Sequence, residues 1–273
     1  MNGHGRPQSA HLPRSVGGPQ VINPFDNEAA ARRYAGARPF YHAVALGLAM
    51  SRLGLGRVPV AVDLGCGTGL SCRALREWAD HVIALDASAA MLAAAEPLEG
   101  VRYAVARSEQ LPLASSAAEL ATAGAAFHWF DQARAFAELA RVLRVGAALV
   151  VYGDFFHGRL AGRPAFTGWL QDSYLPAFPS PARHAYFDAR AAESAGFARP
   201  YYAEDELQVP LTCQQLTDYL MSQSNAAVAI ESGRITAAGL RRQILTEIGR
   251  FFPVGGTTAA VFGVRVWTTV RRR

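Results

Sequence analysis

The sequence predicts an α/β fold, a doubly wound and mostly parallel sheet covered by helices. Three observations lead there. Short apolar runs alternate with Ala-rich amphipathic stretches from Val58 to Asp154. The runs are apolar on both faces, as strands buried between helix layers require. Three of the runs end in a turn that opens a helix-like stretch, the order of a parallel crossover.

Taken in order, residues 1–23 are rich in Gly, Pro, Ser and His and read as a flexible tail. Residues 24–57 read as N-terminal helices broken at Pro39, with FYHAVALGLAMSRLGLG carrying an apolar face and a glycine stop. The predicted strands are VPVAVDLG (58–65), HVIALD (81–86), VRYAVA (101–106), ELATAGAA (119–126) and AALVVYGD (147–154). The helices between them are TGLSCRALREWA (68–79), SAAMLAAAE (88–96) and DQARAFAELARVL (131–143), the last with Asp131 as N-cap. After Asp154 the alternation breaks. Residues 155–185 and 212–252 read as lid insertions, with helix-like stretches at 213–224 and 236–251. VFGVRVWTTV (261–270) reads as a strand completing the sheet from its edge. Nothing divides 24–273 into independent domains.

Composition limits the function. The chain of 273 residues is 51% hydrophobic and 18% charged, which fits a folded soluble protein and not a disordered one. No segment is apolar for long enough to span a membrane. Residues 1–20 lack an apolar run, so no export signal is expected. Three cysteines without metal-ligand spacing then read as reduced thiols in a cytoplasmic protein. The net charge is +5, and all 27 basic residues are Arg. They are scattered, with no basic stripe interleaved with aromatics, so no nucleic-acid partner is expected. Seven His without a ligand pair on one helix face predict no metal site.

VDLGCGTG (62–69) is the most informative segment. Gly65, Gly67 and Gly69 let backbone approach a ligand, and the following helix offers free N–H groups. A second strand ends in Asp86, roughly 20 residues on, the spacing used to hold ribose hydroxyls. A dinucleotide is the competing ligand. The G-x-G-x-G spacing and the acid Asp63 at the loop mouth favour instead a nucleoside carrying a cationic amino-acid tail.

VDLGCGTG, ALDASAAML (84–92), ARSEQLPL (106–113), AAFHWFD (125–131) and ARVLRVGAALVVY (140–152) together resemble the class I S-adenosylmethionine-dependent methyltransferases. They are most similar to the small-molecule branch that includes trans-aconitate and ubiquinone/menaquinone-type enzymes. RRYAGARPFY (32–41) resembles the N-terminal helix of that branch. The resemblance implies a Rossmann-like, seven-stranded sheet with an antiparallel last strand and a helical lid. It implies S-adenosylmethionine as cofactor, S-adenosylhomocysteine as product and a small-molecule acceptor, with no nucleic acid or membrane partner, in a monomer or homodimer.

The same resemblance implies roles for residues. Gly65, Cys66 and Gly67 hold the methionine and ribose part, and Asp63 meets the methionine amine through water. Asp86 takes both ribose hydroxyls. Ala87 and Met91 pack on adenine, Ser108 and Glu109 meet its edge, and Ala125 lines the tail. Tyr34 and Arg38 close over the tail. The chain departs from the pattern at Arg107, where relatives carry an acid, and at Val145, Ala147 and the Ala118–Glu119 pair.

The methyl-transfer site is expected at AFHWFD, at the carboxyl edge of the sheet. His128 and Trp129 are expected to face the methyl and the acceptor, with His128 as candidate base. Tyr152 and Asp154 are second candidates for acid/base or acceptor-orienting work. An oxygen acceptor, carboxylate or hydroxyl, is expected ahead of carbon, in a metabolite or natural-product intermediate. The alternatives are an RNA or protein methyltransferase, and a fold repurposed for cofactor binding or another reaction.

Overall fold

The computed structural model describes residues 41–181 and 185–272. Tyr34, Arg38 and the stretch read as a flexible tail lie outside the described residues.

Seven strands form one sheet: β1 (Val58–Leu64), β2 (Ala79–Asp86), β3 (Val101–Val105), β4 (Ala118–Gly124), β5 (Leu143–Leu160), β6 (Tyr201–Thr212) and β7 (Thr257–Val270), in the order β3-β2-β1-β4-β5-β7-β6. β1 to β5 are parallel, and β7 runs antiparallel to both β5 and β6. The α/β class and the antiparallel last strand agree with the sequence reading. The strand reversal between β1 and β4 opens a crevice at their carboxyl ends, where open sheets of this kind bind ligands.

Two features differ from expectation. β7 lies inside the sheet, and the edge is β6, a strand the sequence reading missed. Its YYAEDELQVPLT is acidic and largely exposed, with Ala203, Leu207, Val209 and Leu211 turned inward and Pro210 among them. Proline and outward charge are edge-strand features that read as loop in a search for apolar runs. β5 also runs six residues past Asp154, to Leu160, because β7 pairs with it along almost its whole length. The insertion after Asp154 therefore begins as strand.

Helices cover both faces. α1 (His42–Leu53) packs on β7 and β5 and ends at Gly54, whose left-handed backbone (φ 62°) returns its N–H to Met50 and Ser51. α2 (Leu70–Leu75) and α3 (Ala89–Ala93) follow β1 and β2. α4 (Gln132–Val142) buries Ala135, Phe136, Leu139 and Val142, spaced to share one face. Asp131 caps it by accepting from the Arg134 N–H, as its position predicts.

Beyond β5 lie α5 (Pro164–Gly168), a π-helical turn (Trp169–Tyr174), α6 (Leu175–Ala177) and α7 (Ala189–Ser194). α8 (Cys213–Met221), α9 (Ser224–Glu231) and α10 (Ala237–Ile248) separate β6 from β7. Phe166, Trp169, Tyr174 and Phe178 are buried against Leu216, Tyr219, Leu240 and Ile248. These helices thus form a satellite core of their own, and their aromatics fill it. Among the described residues no helix is long and apolar enough to cross a membrane.

Candidate active site

A cavity of about 800 Å³ opens at the carboxyl ends of β1, β2 and β4. The β1–α2 loop forms its floor. Gly65 and Gly67 have φ of 63° and 55°, which L side chains avoid. A Cβ on Gly65 would lie 2.4 Å from the Ala126 Cβ, and one on Gly67 would lie 2.9 Å from the Met91 Cε. The loop is pinned to β2 by the Gly65 and Cys66 N–H groups, which both donate to the Leu85 carbonyl at 2.7 and 3.1 Å.

Asp86 ends β2 on the opposite wall. Its Oδ2 accepts from the Gly67 N–H and its Oδ1 from the Ser88 N–H, both at 2.8 Å. The carboxylate is therefore held at both oxygens by backbone, at the wall of the cavity. Ala87, Met91, Ser108 and Glu109 continue the same wall. Glu109 accepts from the Asp131 N–H at 3.0 Å and lies 3.4 Å from the Arg107 guanidinium. Arg107 is thus tied to a neighbouring acid.

Ala125 closes the far side from the end of β4. It is a non-glycine residue with φ of 53°, held there by its N–H to the Tyr152 carbonyl at 2.7 Å. That backbone costs about 1–2 kcal/mol for an L residue, and glycine's greater unfolded entropy returns about 0.5–1 kcal/mol. Ala125→Gly should therefore raise stability by up to about 1 kcal/mol, checked by urea unfolding.

Of the residues singled out from the sequence, Gly65, Cys66, Gly67, Asp86, Ala87, Met91, Ser108, Glu109, Ala125 and Trp129 line this one cavity. Four others do not, and their expected roles need correction. Asp63 is fully buried behind the loop, because β1 is an interior strand and both its faces are covered. It accepts from Ser71 Oγ, from Thr122 Oγ1 at 2.7 Å and from Cys72 Sγ at 3.2 Å. Ser71 is the member of this set that reaches the wall. His128 sits in a 3₁₀ turn that sets it against Tyr186, ring centroids 5.1 Å apart, and off the cavity wall. Tyr152 is fully buried, with its hydroxyl 3.0 Å from His42 Nδ1. Asp154 accepts from the Tyr219 hydroxyl at 3.3 Å, on the lid side of β5.

Burial pushes the Asp63 carboxyl up from the ordinary aspartate range, and its three donors pull it part of the way back. A folded-state value above the unfolded one means that stability is greatest at low pH and falls as the pH rises through the folded value. The stability difference between the parent and Asp63→Asn should therefore shrink as pH climbs above the ordinary aspartate range. Paired urea titrations across the acid range check this.

Sequence reading missed His42 and Thr68, which also line the cavity. His42 carried no motif signal. Thr68 was inside the quoted loop but was not singled out.

Residues 62–151 match the methyltransferase domain family. Over these residues the chain is similar to that methyltransferase domain. A malonyl-[acyl-carrier protein] O-methyltransferase of Pectobacterium atrosepticum is 35% identical over 135 residues, covering 45% of this chain and 53% of that protein. The chain spans about half the length of the curated relatives it matches most fully. Among solved structures, an Anaeromyxobacter dehalogenans protein described as a type II methyltransferase covers 91% of this chain and 97% of its own, with TM-score 0.58 and 21% identity. Phosphoethanolamine N-methyltransferase 2 of Haemonchus contortus, solved with S-adenosyl-L-methionine, covers 93% of this chain and 61% of its own, with TM-score 0.52 and 15% identity. These structures agree on the fold.

The wall of this domain fits that cofactor in two respects. Thr68 Oγ1 and Ser108 Oγ are buried and have no hydrogen-bond partner among the described residues, so a polar ligand has donors and acceptors to meet. The glycine floor leaves the space that Cβ atoms would otherwise fill.

Proposed function

We propose that this protein transfers the methyl group of S-adenosylmethionine to a small-molecule acceptor, at oxygen in preference to carbon. One observation carries the reading. The Asp86 carboxylate, held by two backbone amides, faces a glycine-floored cavity that also holds the unmet hydroxyls of Thr68 and Ser108. The name of the O-methyltransferase relatives supports oxygen as the acceptor atom.

In this reading Asp86 accepts from both ribose hydroxyls, and Gly65, Cys66 and Gly67 bring backbone to the methionine and ribose part. Ala87 and Met91 pack on adenine, Ser108 and Glu109 meet its edge, and Ala125 borders the tail. Asp63 acts at one remove, by orienting Ser71. Tyr34 and Arg38 keep their expected place over the tail. When bound, the cofactor supplies a methyl group on a sulfonium, open to in-line displacement. The chain's contribution is mainly alignment, which supplies about 7–11 kcal/mol in well-oriented reactions. Trp129, which lines the cavity, borders the acceptor in this reading. The acceptor is a metabolite or natural-product intermediate, and the free thiols of Cys66 and Cys72 suit a reducing, cytoplasmic setting.

The test is incubation with methyl-deuterated S-adenosylmethionine and a metabolite extract of the source organism, read by mass spectrometry. A labelled small molecule formed in step with S-adenosylhomocysteine supports the proposal. Label found only in RNA or protein, or none at all with the cofactor bound, overturns it.

A further inference from the structure

We propose that Tyr186 is a positioning residue for the cofactor: its hydroxyl fixes the Tyr152 carbonyl, and that carbonyl holds Ala125 in the shape that borders the amino-acid tail. This rests on the methyl-transfer reading above and deepens it.

Tyr186 lies on the connection between α6 and α7. Its hydroxyl donates to the Tyr152 carbonyl at 2.9 Å. The same carbonyl accepts from the Ala125 N–H at 2.7 Å. A carbonyl oxygen has two lone pairs, so both donors are met at once. The hydroxyl reaches this point across Gly153, where an added Cβ would overlap it. Glycine inside a strand weakens the strand and marks a close approach, and the Tyr186 hydroxyl is what approaches here.

The ring is fixed from several sides. Trp267 stacks on it with centroids 5.0 Å apart and an interplanar angle of 19°. The Arg265 guanidinium lies 4.9 Å from its centroid, and the His128 ring is 5.1 Å away. The backbone on either side is tied to Gln132, at the start of α4. Gln132 Nε2 donates to the Ala185 carbonyl at 2.5 Å, and its Oε1 accepts from the Asp188 N–H at 2.7 Å. The hydroxyl is thus delivered to the carbonyl in one orientation.

Ala125 gives this arrangement its consequence. Its φ of 53° is one that an L residue leaves when it is not held. Ala125 and Ala126 line the cavity and lead into the 3₁₀ turn that carries Trp129 to the same wall. Without the Tyr186 hydroxyl the Tyr152 carbonyl is held less firmly. The Ala125 peptide then turns toward an ordinary φ, and the wall beside the tail moves with it. Glycine at this position feels no such pull, because it takes φ above zero as readily as below. The clamp therefore matters to the site because residue 125 is alanine.

The test uses the full chain and two binding probes. One is S-adenosylhomocysteine. The other is 5′-methylthioadenosine, which keeps the nucleoside and the thioether but lacks the amino-acid tail. Calorimetry of Tyr186→Phe should show S-adenosylhomocysteine bound roughly tenfold more weakly than by the parent, and 5′-methylthioadenosine within about twofold. Added to Ala125→Gly, the same substitution should change S-adenosylhomocysteine binding by less than about twofold. Gly153→Ala, whose methyl displaces the hydroxyl and leaves the tyrosine in place, should repeat the tail-specific loss. It decides the question if Tyr186→Phe does not fold. A merely loosened fold would weaken both probes alike, with or without Ala125→Gly. Equal losses on the two probes, an equal loss in the Ala125→Gly background, or no loss at all overturns this inference and leaves the methyl-transfer reading standing. A parent that binds neither probe overturns the methyl-transfer reading, and this inference with it.

Discussion

Asp86→Ala should weaken S-adenosylhomocysteine binding by roughly 10²–10⁴-fold, because it removes two charge-assisted hydrogen bonds worth about 1.5–3 kcal/mol each. Asp86 also carries the loop, since its oxygens take the Gly67 and Ser88 amides. Some of the loss therefore comes through a loosened floor. Asp86→Asn separates the two effects. It keeps one carbonyl oxygen for an amide but sets an NH₂ where the second acceptor stood. Calorimetry should give a smaller loss for Asn than for Ala, with both variants folded by their far-ultraviolet spectra. A dissociation constant within about threefold of the parent for Asp86→Ala would remove Asp86 from the site.

Gly65→Val should abolish binding and destabilise the chain by about 2–5 kcal/mol. The left-handed backbone at φ 63° costs a branched residue about 1–2 kcal/mol, and forcing a side chain into packed space costs about 1–3 kcal/mol more. The added Cβ meets Ala126 Cβ at 2.4 Å and the Phe130 ring at 3.3 Å, and neither is the far end of a flexible chain. The loop must shift away from β4, and the Leu85 carbonyl then loses the two amides that pin it. Gly146→Val is the matched control. It has a left-handed φ of 86° but no neighbour within 4 Å of its Cβ, so it should lose stability and keep binding. Chemical denaturation and calorimetry on both variants check the pair.

What the sequence disclosed was local chemistry. A glycine loop between strand and helix, an acid about 20 residues later and an Asp before an amphipathic helix each have one short-range cause, and each stands where it was expected. What it hid depends on contacts far apart in the chain. β6 carries its polarity outward and pairs only with β7, so no apolar run marks it. β7 was expected at the edge, the place that β6 takes. Asp63 lies in a motif, but its depth comes from Thr122 on β4 and from the helix layer above. His128 follows a strand at the ligand edge, yet a 3₁₀ turn aims it at Tyr186, 58 residues on. His42 and Tyr152 stand 110 positions apart and meet only because α1 folds onto β5. No spacing rule could have joined them.

The most direct test is a crystal structure of the protein grown with S-adenosylhomocysteine. The account predicts the ligand in the cavity between β1, β2 and β4, its ribose hydroxyls on Asp86 and a polar atom of it within hydrogen-bond reach of Thr68 or Ser108. Ligand density elsewhere, or a ribose turned away from Asp86 with both hydroxyls still unmet, would contradict it.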